Sequence, residues 1–152
     1  MRLIGMLDSP YVRRVAISLQ LLDLRFERAS ISVLRQFDAF AAINPVVKSP
    51  TLVADDGEVL MESSLILDCA EAIAAGRESL MPAGPRERKH ALRLIDRVTS
   101  ALTWHFIQQM SVASLVPPPR FPALQALGAQ AETLPAFRAA PHGDTTYRDA
   151  PH

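Results

Sequence analysis

The sequence predicts an α/β domain with the element order β-α-β-α-β-β-α, followed by a shorter all-helical region. Short apolar runs alternate with segments of helical period as far as residue 75, and strand patterns stop after Gly76. The chain has 152 residues, of which 49% are hydrophobic, so it can bury a substantial core. We therefore expect an α/β domain over residues 1–78, a shortened helical domain over residues 85–140 and a flexible tail over residues 141–152.

The first three elements form a predicted β-α-β unit. Residues 2–6 are a short apolar run, residues 10–22 carry one apolar stripe at helical spacing, and residues 24–29 alternate apolar with charged side chains. A helix of this length between two strands favours a right-handed crossover and parallel pairing of the strands.

A second helix, a hairpin and a third helix follow. Their predicted bounds are residues 32–43 for the second helix, 51–54 and 58–61 for the strands, and 63–76 for the third helix. Asn44 ends the second helix, because a residue before proline is disfavoured in the α conformation. Gly57 allows the hairpin turn, since glycine adopts positive φ without cost. Ser63 is predicted to cap the third helix, and Gly76 to end it.

The remaining chain shows only helical patterns. The predicted helices cover residues 86–95, 99–110 and 121–137, the last being one helix or a pair interrupted at Pro135. Three consecutive prolines, residues 117–119, break the chain before this last segment.

Composition excludes several functional classes. A formal net charge of +0 argues against a nucleic-acid or anionic-membrane partner, because both require an excess of Lys and Arg. The single cysteine, Cys69, permits no intrachain disulfide and no cysteine metal cluster. Asp8 and Pro10 interrupt the apolar start, and no apolar run approaches the ~20 residues of a membrane span. We expect a cytoplasmic protein without a metal.

A serine and a proline mark the junction between the first strand and the first helix. Ser9 is a favoured N-cap residue, and Pro10 suits the first position of a helix. The positive end of the helix dipole then favours an anion near Ser9. On these residues alone, a simple helix start is the better explanation.

Three motifs resemble those of the cytosolic glutathione transferase superfamily, of the serine-type, bacterial-like kind. They are Ser-Pro-Tyr-Val-Arg-Arg-Val at residues 9–15, Asn-Pro-Val-Val-Lys-Ser-Pro-Thr-Leu at residues 44–52, and Glu-Ser at residues 62–63. In that family a thioredoxin-like domain, which has the element order predicted here, precedes an all-helical domain. The resemblance implies a glutathione transferase that binds glutathione as co-substrate and conjugates it to small electrophiles in detoxification.

The resemblance also implies roles for individual residues. Ser49 and a cis Pro50 would hold the backbone of the glutathione cysteine, and Lys48 could reach a ligand carboxylate. Ser63 would bind the γ-glutamyl carboxylate at the start of the third helix, and Glu62 would pair with the ammonium group. Without the family context, a trans proline, a solvated lysine and a simple cap are the ordinary readings of these positions.

Ser9 would be the catalytic residue under this resemblance. A free thiol with a pKa near 8.5 is only about 3% ionised at pH 7. A hydroxyl donor and the helix dipole that lower this pKa by about two units, or ~2.7 kcal/mol, would make the thiolate the majority species. Ser9 would therefore stabilise an anion and would not itself act as a nucleophile.

Other reactive-looking residues have structural interpretations. Cys69 is expected to be a buried small hydrophobe, and Trp104 and Phe106 are expected in the core. Arg14 is a weaker candidate, for structural pairing or for the local field. The four histidines form no recognisable triad with an acid and a nucleophile.

Residues 96–106 resemble the start of the family's buried central helix, but lie too early in the chain. We therefore expect a shortened helical domain, exposed apolar surface and an unusual homodimer or poor solubility. A non-catalytic glutathione-transferase-like binding module is the alternative function. A thiol–disulfide oxidoreductase is disfavoured, because the Ser9-to-Val12 segment lacks both cysteines of a Cys-Pro-Tyr-Cys site.

Overall fold

The computed structural model describes residues 1–74, 79–109 and 115–143. Its helices and strands, in chain order, are β1 (Arg2–Ile4), α1 (Pro10–Leu21), β2 (Glu27–Ala29), α2 (Phe37–Ala41), β3 (Thr51–Val53), β4 (Val59–Met61), α3 (Ser63–Ile73), α4 (Pro85–Gln109), α5 (Pro122–Ala131) and α6 (Pro135–Ala139). A short 3₁₀ turn, Pro118–Arg120, precedes α5. The α/β domain followed by a helical region confirms the predicted fold class.

The four strands form one mixed sheet in the order β2-β1-β3-β4. β1 pairs in parallel with β2, as predicted for the β-α-β unit, with Leu3 opposite Arg28. β3 pairs antiparallel with β1 and β4, and Thr51 faces both Ile4 and Met61. This register brings the carboxyl end of β1, the start of β3 and the end of β4 to the same edge of the sheet.

The second helix is shorter than the sequence predicts. Instead of residues 32–43 it covers Phe37–Ala41 alone. The Ser32 hydroxyl accepts hydrogen bonds from the backbone N–H groups of Leu34 (3.3 Å) and Arg35 (3.2 Å). This local turn competes with helical hydrogen bonding and delays the helix by one turn.

The two helices predicted over residues 86–95 and 99–110 are one continuous helix, α4. Thr99 interrupts the apolar pattern but not the helix, and its hydroxyl donates to the carbonyl of Ile95, one turn earlier, at 2.9 Å. The last predicted segment is a pair of helices, α5 and α6, separated before Pro135. A proline at the first position of each helix explains this division.

The cap of α3 differs from the prediction by one residue. Glu62 occupies the cap position with φ of 74°, and Ser63 is the first helical residue. Neither the predicted helix end at Gly76 nor the domain boundary at residue 78 falls within the described residues.

One hydrophobic core joins both parts of the chain. α1 lies at its centre and packs against α3, α4 and α6. Val15, Leu102 and Phe137, from three different helices, are each buried within this core. The core therefore continues across the predicted boundary between the α/β and helical regions.

The outer faces of the helical region expose large apolar side chains, as predicted. These are Leu92, Leu94, Leu115, Phe121 and Leu134. Within the described residues, no helix is both long and apolar enough to cross a bilayer.

Candidate functional site

A cavity of about 540 Å³ opens at the edge of the sheet where β1 ends. It lies between the start of α1, the loop before β3, the loop after β2 and the end of α4. Its lining residues are Met6, Asp8, Ser9, Pro10, Tyr11, Ile31, Ser32, Val33, Leu34, Val47, Lys48, Ser49, Phe106, Gln109, His142 and Gly143. The cavity thus brings together three of the predicted site residues, Ser9, Lys48 and Ser49.

Ser9 caps α1 as predicted. Its backbone is extended, and its hydroxyl accepts a long hydrogen bond of 3.5 Å from the backbone N–H of Val12. The backbone N–H of Ser9 donates to the carbonyl of Met6 at 3.0 Å, which closes a tight turn after β1. The serine hydroxyl and the positive end of the α1 dipole therefore border the same cavity.

The loop that carries Lys48 and Ser49 is braced by buried neutral hydrogen bonds. The Asn44 amide, 2% exposed, donates to the Thr51 hydroxyl at 2.9 Å. That hydroxyl in turn donates to the carbonyl of Lys48 at 2.7 Å. The Ser49–Pro50 peptide bond is cis, which confirms the prediction.

Ser49 lines the cavity and carries a buried hydroxyl. Its Oγ has no hydrogen-bond partner among the described residues. Gly5, at φ of 135°, allows the end of β1 to approach this hydroxyl, because a Cβ on Gly5 would collide with Ser49 Oγ and would lie 2.7 Å from Val12 Cγ2. A buried hydroxyl without a partner is costly unless a ligand completes its hydrogen bonding.

Pro50, Glu62 and Ser63 are not lining residues of the cavity but lie close to its edge. The Lys48 Nζ to Glu62 Oε1 distance is 2.7 Å, and both side chains are half exposed, so this ion pair links Glu62 to the lining. Ser63 is 5% exposed at the start of α3. Glu62 is held in a left-handed backbone conformation, which costs non-glycine residues about 1–3 kcal/mol and clusters at functional sites.

The opposite wall of the cavity comes from the C-terminal part of the chain. Arg13, 1% exposed, donates from Nη1 and Nη2 to the two carboxylate oxygens of Glu132, each at 2.6 Å. Its Nε donates to the carbonyl of Ala140 at 2.7 Å, and its guanidinium lies 5.3 Å from the ring centroid of Phe137. One side chain of α1 thus fixes the segment that leads to His142 and Gly143.

Two histidines, His105 and His142, connect Glu132 with the cavity. Burial alone would raise the pKa of the Glu132 carboxyl, but the hydrogen bonds and charge of Arg13, with contributions from His105 and His142, lower this pKa below its usual value. His105 Nδ1 lies 3.4 Å from Glu132 Oε1, and the His105 and His142 ring centroids are 4.6 Å apart. His142 Nε2 lies 4.0 Å from Asp8 Oδ1.

Three sequence-based interpretations need revision here. Phe106 lines the cavity instead of the core, whereas Trp104 is buried as expected. Cys69 is half-buried, not fully buried. The pairing role considered for Arg14 belongs to Arg13, and burial lowers the pKa of Arg14.

The first residues of the expected flexible tail, 141–143, are among the described residues. His142, with a side chain 10% exposed, and Gly143 lie against the cavity, and the rest of the tail lies outside the described residues. The structure groups no three metal-ligating side chains within residues 1–74, 79–109 and 115–143.

The sheet order, the cis proline before β3 and the helices that pack on α1 define a thioredoxin-like domain joined to a helical region. The family model described as glutathione S-transferase, N-terminal domain, matches residues 3–78, which is half of the chain. The chain therefore belongs to the glutathione S-transferase family.

Curated relatives include plant members of this family. A probable glutathione S-transferase, GSTU6, of Oryza sativa subsp. japonica is 34% identical over 92 residues, which cover 58% of this chain and 39% of the rice protein. Glutathione transferase GST 23 of Zea mays is 29% identical over 90 residues, which cover 59% of this chain and 40% of the maize protein. The chain spans about two fifths of the length of these relatives.

Solved structures show the same fold at low sequence identity. A Methylobacterium radiotolerans glutathione S-transferase in complex with glutathione sulfonate has a TM-score of 0.71 and 18% identity, over 94% of this chain and 95% of that chain. A Methylobacillus flagellatus glutathione S-transferase with bound glutathione has a TM-score of 0.69 and 13% identity, over 91% and 98% of the respective chains.

Proposed function

We propose that this chain is a serine-type, bacterial-like glutathione transferase that binds glutathione in the described cavity and conjugates its thiolate to a small electrophile. The observation that carries the proposal is the convergence of Ser9, Lys48 and Ser49 on one cavity at the positive end of α1. Membership of the glutathione S-transferase family, and glutathione in the structure of one relative by fold, support the choice of ligand.

The polar edge of the cavity suits the ends of glutathione. The γ-glutamyl end carries one ammonium and one carboxylate, and Glu62 offers a carboxylate to the first while Ser63 offers the start of α3 to the second. Lys48, now paired with Glu62, can turn to a ligand carboxylate because it is half exposed. Ser49 and Pro50 hold the cysteinyl backbone in this proposal, which leaves the thiol beside Ser9.

Ser9 then favours the thiolate. Its hydroxyl donates a hydrogen bond to the sulfur, and the dipole of the twelve-residue α1 adds positive potential at the same end. The S–H bond breaks, the proton passes to solvent, and the electron pair remains on sulfur to attack the electrophile. With an aryl halide, a C–S bond forms, the carbon–halogen bond breaks and the halide leaves with its electron pair. The largely apolar lining around Tyr11, Leu34 and Phe106 provides space for an apolar electrophile.

Substitution of Ser9 tests the catalytic part. Ser9→Ala should retain glutathione binding but lower the rate with an aryl halide about tenfold or more, because about two units of thiol pKa are at stake. Ser18→Ala, on the second half of α1, is the matched control and should leave the rate unchanged. Full turnover by Ser9→Ala would overturn the role of Ser9.

Binding is tested separately from turnover. Glutathione should raise the melting temperature in a thermal-shift titration, since a ligand that binds only the folded state stabilises it. The double variant Glu62→Ala, Ser63→Ala should lose this shift, whereas Ser64→Ala, at the exposed next position, should keep it. Binding without turnover would support the non-catalytic module instead.

The proposal includes a homodimer. Leu65 and Ile73 of α3 and Leu92 of α4 expose large apolar side chains, at 60%, 49% and 52%, that an interface would cover. A monodisperse, stable monomer in light scattering would contradict this part of the proposal without affecting glutathione binding.

A further inference from the structure

The cavity contains a titratable side chain that the proposed function does not use. His142 lines the cavity together with Ser9 and Ser49, and its side chain is 10% exposed. Unlike Ser9, it comes from the far end of the described chain. Its position is fixed by Arg13, which binds the carbonyl of Ala140 two residues earlier.

Charged groups from four elements surround His142. Asp8, in the turn after β1, has its Oδ1 atom 4.0 Å from His142 Nε2. The ring of His105, on α4, lies tilted at 59° to that of His142 with the centroids 4.6 Å apart, and His105 Nδ1 is 3.4 Å from Glu132 Oε1, at the end of α5. Arg13 of α1 neutralises much of the Glu132 charge through two hydrogen bonds of 2.6 Å. Asp8 and Glu132 thus both interact with His142, and Asp8 is the one that also lines the cavity.

A carboxylate 4.0 Å away favours the protonated form of an imidazole. The apolar part of the cavity lining strengthens the interaction of an imidazolium with a nearby anion. Many of the lining residues are apolar, and charges interact more strongly where water is displaced. The apolar members of the lining are Met6, Pro10, Ile31, Val33, Leu34, Val47 and Phe106.

We propose that His142 is an electrostatic residue of the glutathione site: as an imidazolium held against Asp8, it favours the anionic form of the bound thiol across the cavity from Ser9. The inference rests on the proposed function, because the thiol is that of bound glutathione. The thiol proton passes to solvent and no bond to His142 is made. The helical part of the chain thereby contributes to ionisation of the thiol as well as to binding of the electrophile.

The wild-type protein can test this interaction through its reciprocity. If the imidazolium favours the thiolate, the thiolate must favour the imidazolium by the same free energy. The histidine ring protons are titrated by NMR with glutathione and with S-methylglutathione, which has no ionisable thiol. The titration midpoint of His142 should be about one pH unit higher with glutathione, the shift expected for a nearby opposite charge. The midpoint of His90, an exposed residue of α4, should be the same with both ligands.

The outcomes separate the two proposals. Equal midpoints of His142 with both ligands, when both bind, would overturn the role of His142 and leave glutathione binding intact. If neither ligand perturbs any resonance, glutathione does not bind, and the proposed function fails together with this inference.

Substitutions give an independent readout on the thiol itself. His142→Gln should raise the pH midpoint of thiolate absorbance of bound glutathione by about one unit, and His142→Lys should restore it by returning the positive charge. His90→Gln is the control and should not move the midpoint. An unchanged midpoint in a folded His142→Gln protein would overturn the proposal, and the wild-type titration decides if that variant does not fold.

Discussion

The two walls of the cavity are held in place by different kinds of interaction. The first wall, around Ser49, is braced by neutral hydrogen bonds among Asn44, Lys48 and Thr51, which lie within seven residues of one another. The second wall, around His142, is held by the Arg13–Glu132 ion pair across 119 residues of sequence. The first depends on local sequence, and the second depends on the completed fold.

The difference has an energetic consequence. Removal of a neutral hydrogen bond usually costs about 1–3 kcal/mol when a buried partner is left unsatisfied. Hydrogen bonds from a charged donor contribute more, about 1.5–3 kcal/mol each, and Arg13 donates four of them. The wall that is remote in sequence should therefore be the more sensitive to a single substitution.

The largest effect is expected for Arg13→Ala. Loss of the guanidinium leaves the partly exposed Glu132 carboxylate and the carbonyls of Phe137 and Ala140 without their donor, so the free energy of unfolding should fall by about 3 kcal/mol or more. Urea denaturation measures this change. Arg14→Ala is the matched neighbour and should cost much less; equal losses would show that the ion pair is not what holds the second wall.

A side chain at Gly5 tests the contact between β1 and the first wall. Gly5→Ala should lower the free energy of unfolding by about 1–3 kcal/mol, because the added methyl group crowds Ser49 and Val12. It should also weaken glutathione binding by displacing the Ser49 hydroxyl. Gly57 also has a positive φ, but a Cβ at this position would have no atom within 4 Å. Gly57→Ala is therefore the control that introduces backbone strain without crowding. Similar losses in both variants would count against crowding.

Asn44→Ala probes the local bracing directly. The Thr51 hydroxyl and the carbonyl of Lys48 lose the amide donor, and stability should fall by about 1–3 kcal/mol. The thermal shift produced by glutathione should also decrease, because the loop bearing Ser49 is less ordered. Thr51→Ser keeps the hydroxyl and should retain binding. A normal thermal shift in Asn44→Ala would show that the loop keeps its shape without the amide.

The smallest effect concerns pH. Because the folded-state pKa of Glu132 is lowered below 4.5, the unfolded state binds more protons at acidic pH, and the carboxylate contributes stability above pH 4.5 that is lost as the pH falls through its folded pKa. The pH-dependent part of this stability is absent in Glu132→Gln, so the difference in stability between this variant and wild type should shrink on acidification. Glu58→Gln, at an exposed site, should show no such pH dependence. A difference that stays constant down to pH 3 would contradict the assigned cause.

The sequence could predict the first wall but not the second. Ser9, Ser49 and the cis Pro50 lie in short motifs that resemble those of the glutathione transferase family, and this resemblance predicted the cis bond that the local pattern alone does not. Asp8 and His142 meet only after α1, α4 and α5 pack together, and no spacing between them indicates a contact.

Two particular errors have the same origin. Phe106 has the apolar spacing of a core residue, but whether that face of α4 meets the core or the cavity depends on packing with the first domain. Arg13 and Arg14 are adjacent residues of the same type, so the sequence does not distinguish them. Only the packing of α5 and α6 around α1 makes Arg13 the one that is buried and paired with Glu132. Helical period indicates that a face is covered and does not indicate what covers it.

The contacts of the Arg13 guanidinium also affect how cooperatively the protein unfolds. Arg13 belongs to α1, yet most of its hydrogen bonds end on residues beyond 130. If the helical region separated from the α/β domain at the connection before Pro85, the Arg13 guanidinium would lose its hydrogen-bond partners. The apolar face of α1 would then become exposed to water. The two regions should therefore melt in a single cooperative transition, and residues 1–78 expressed alone should be far less stable than the intact chain.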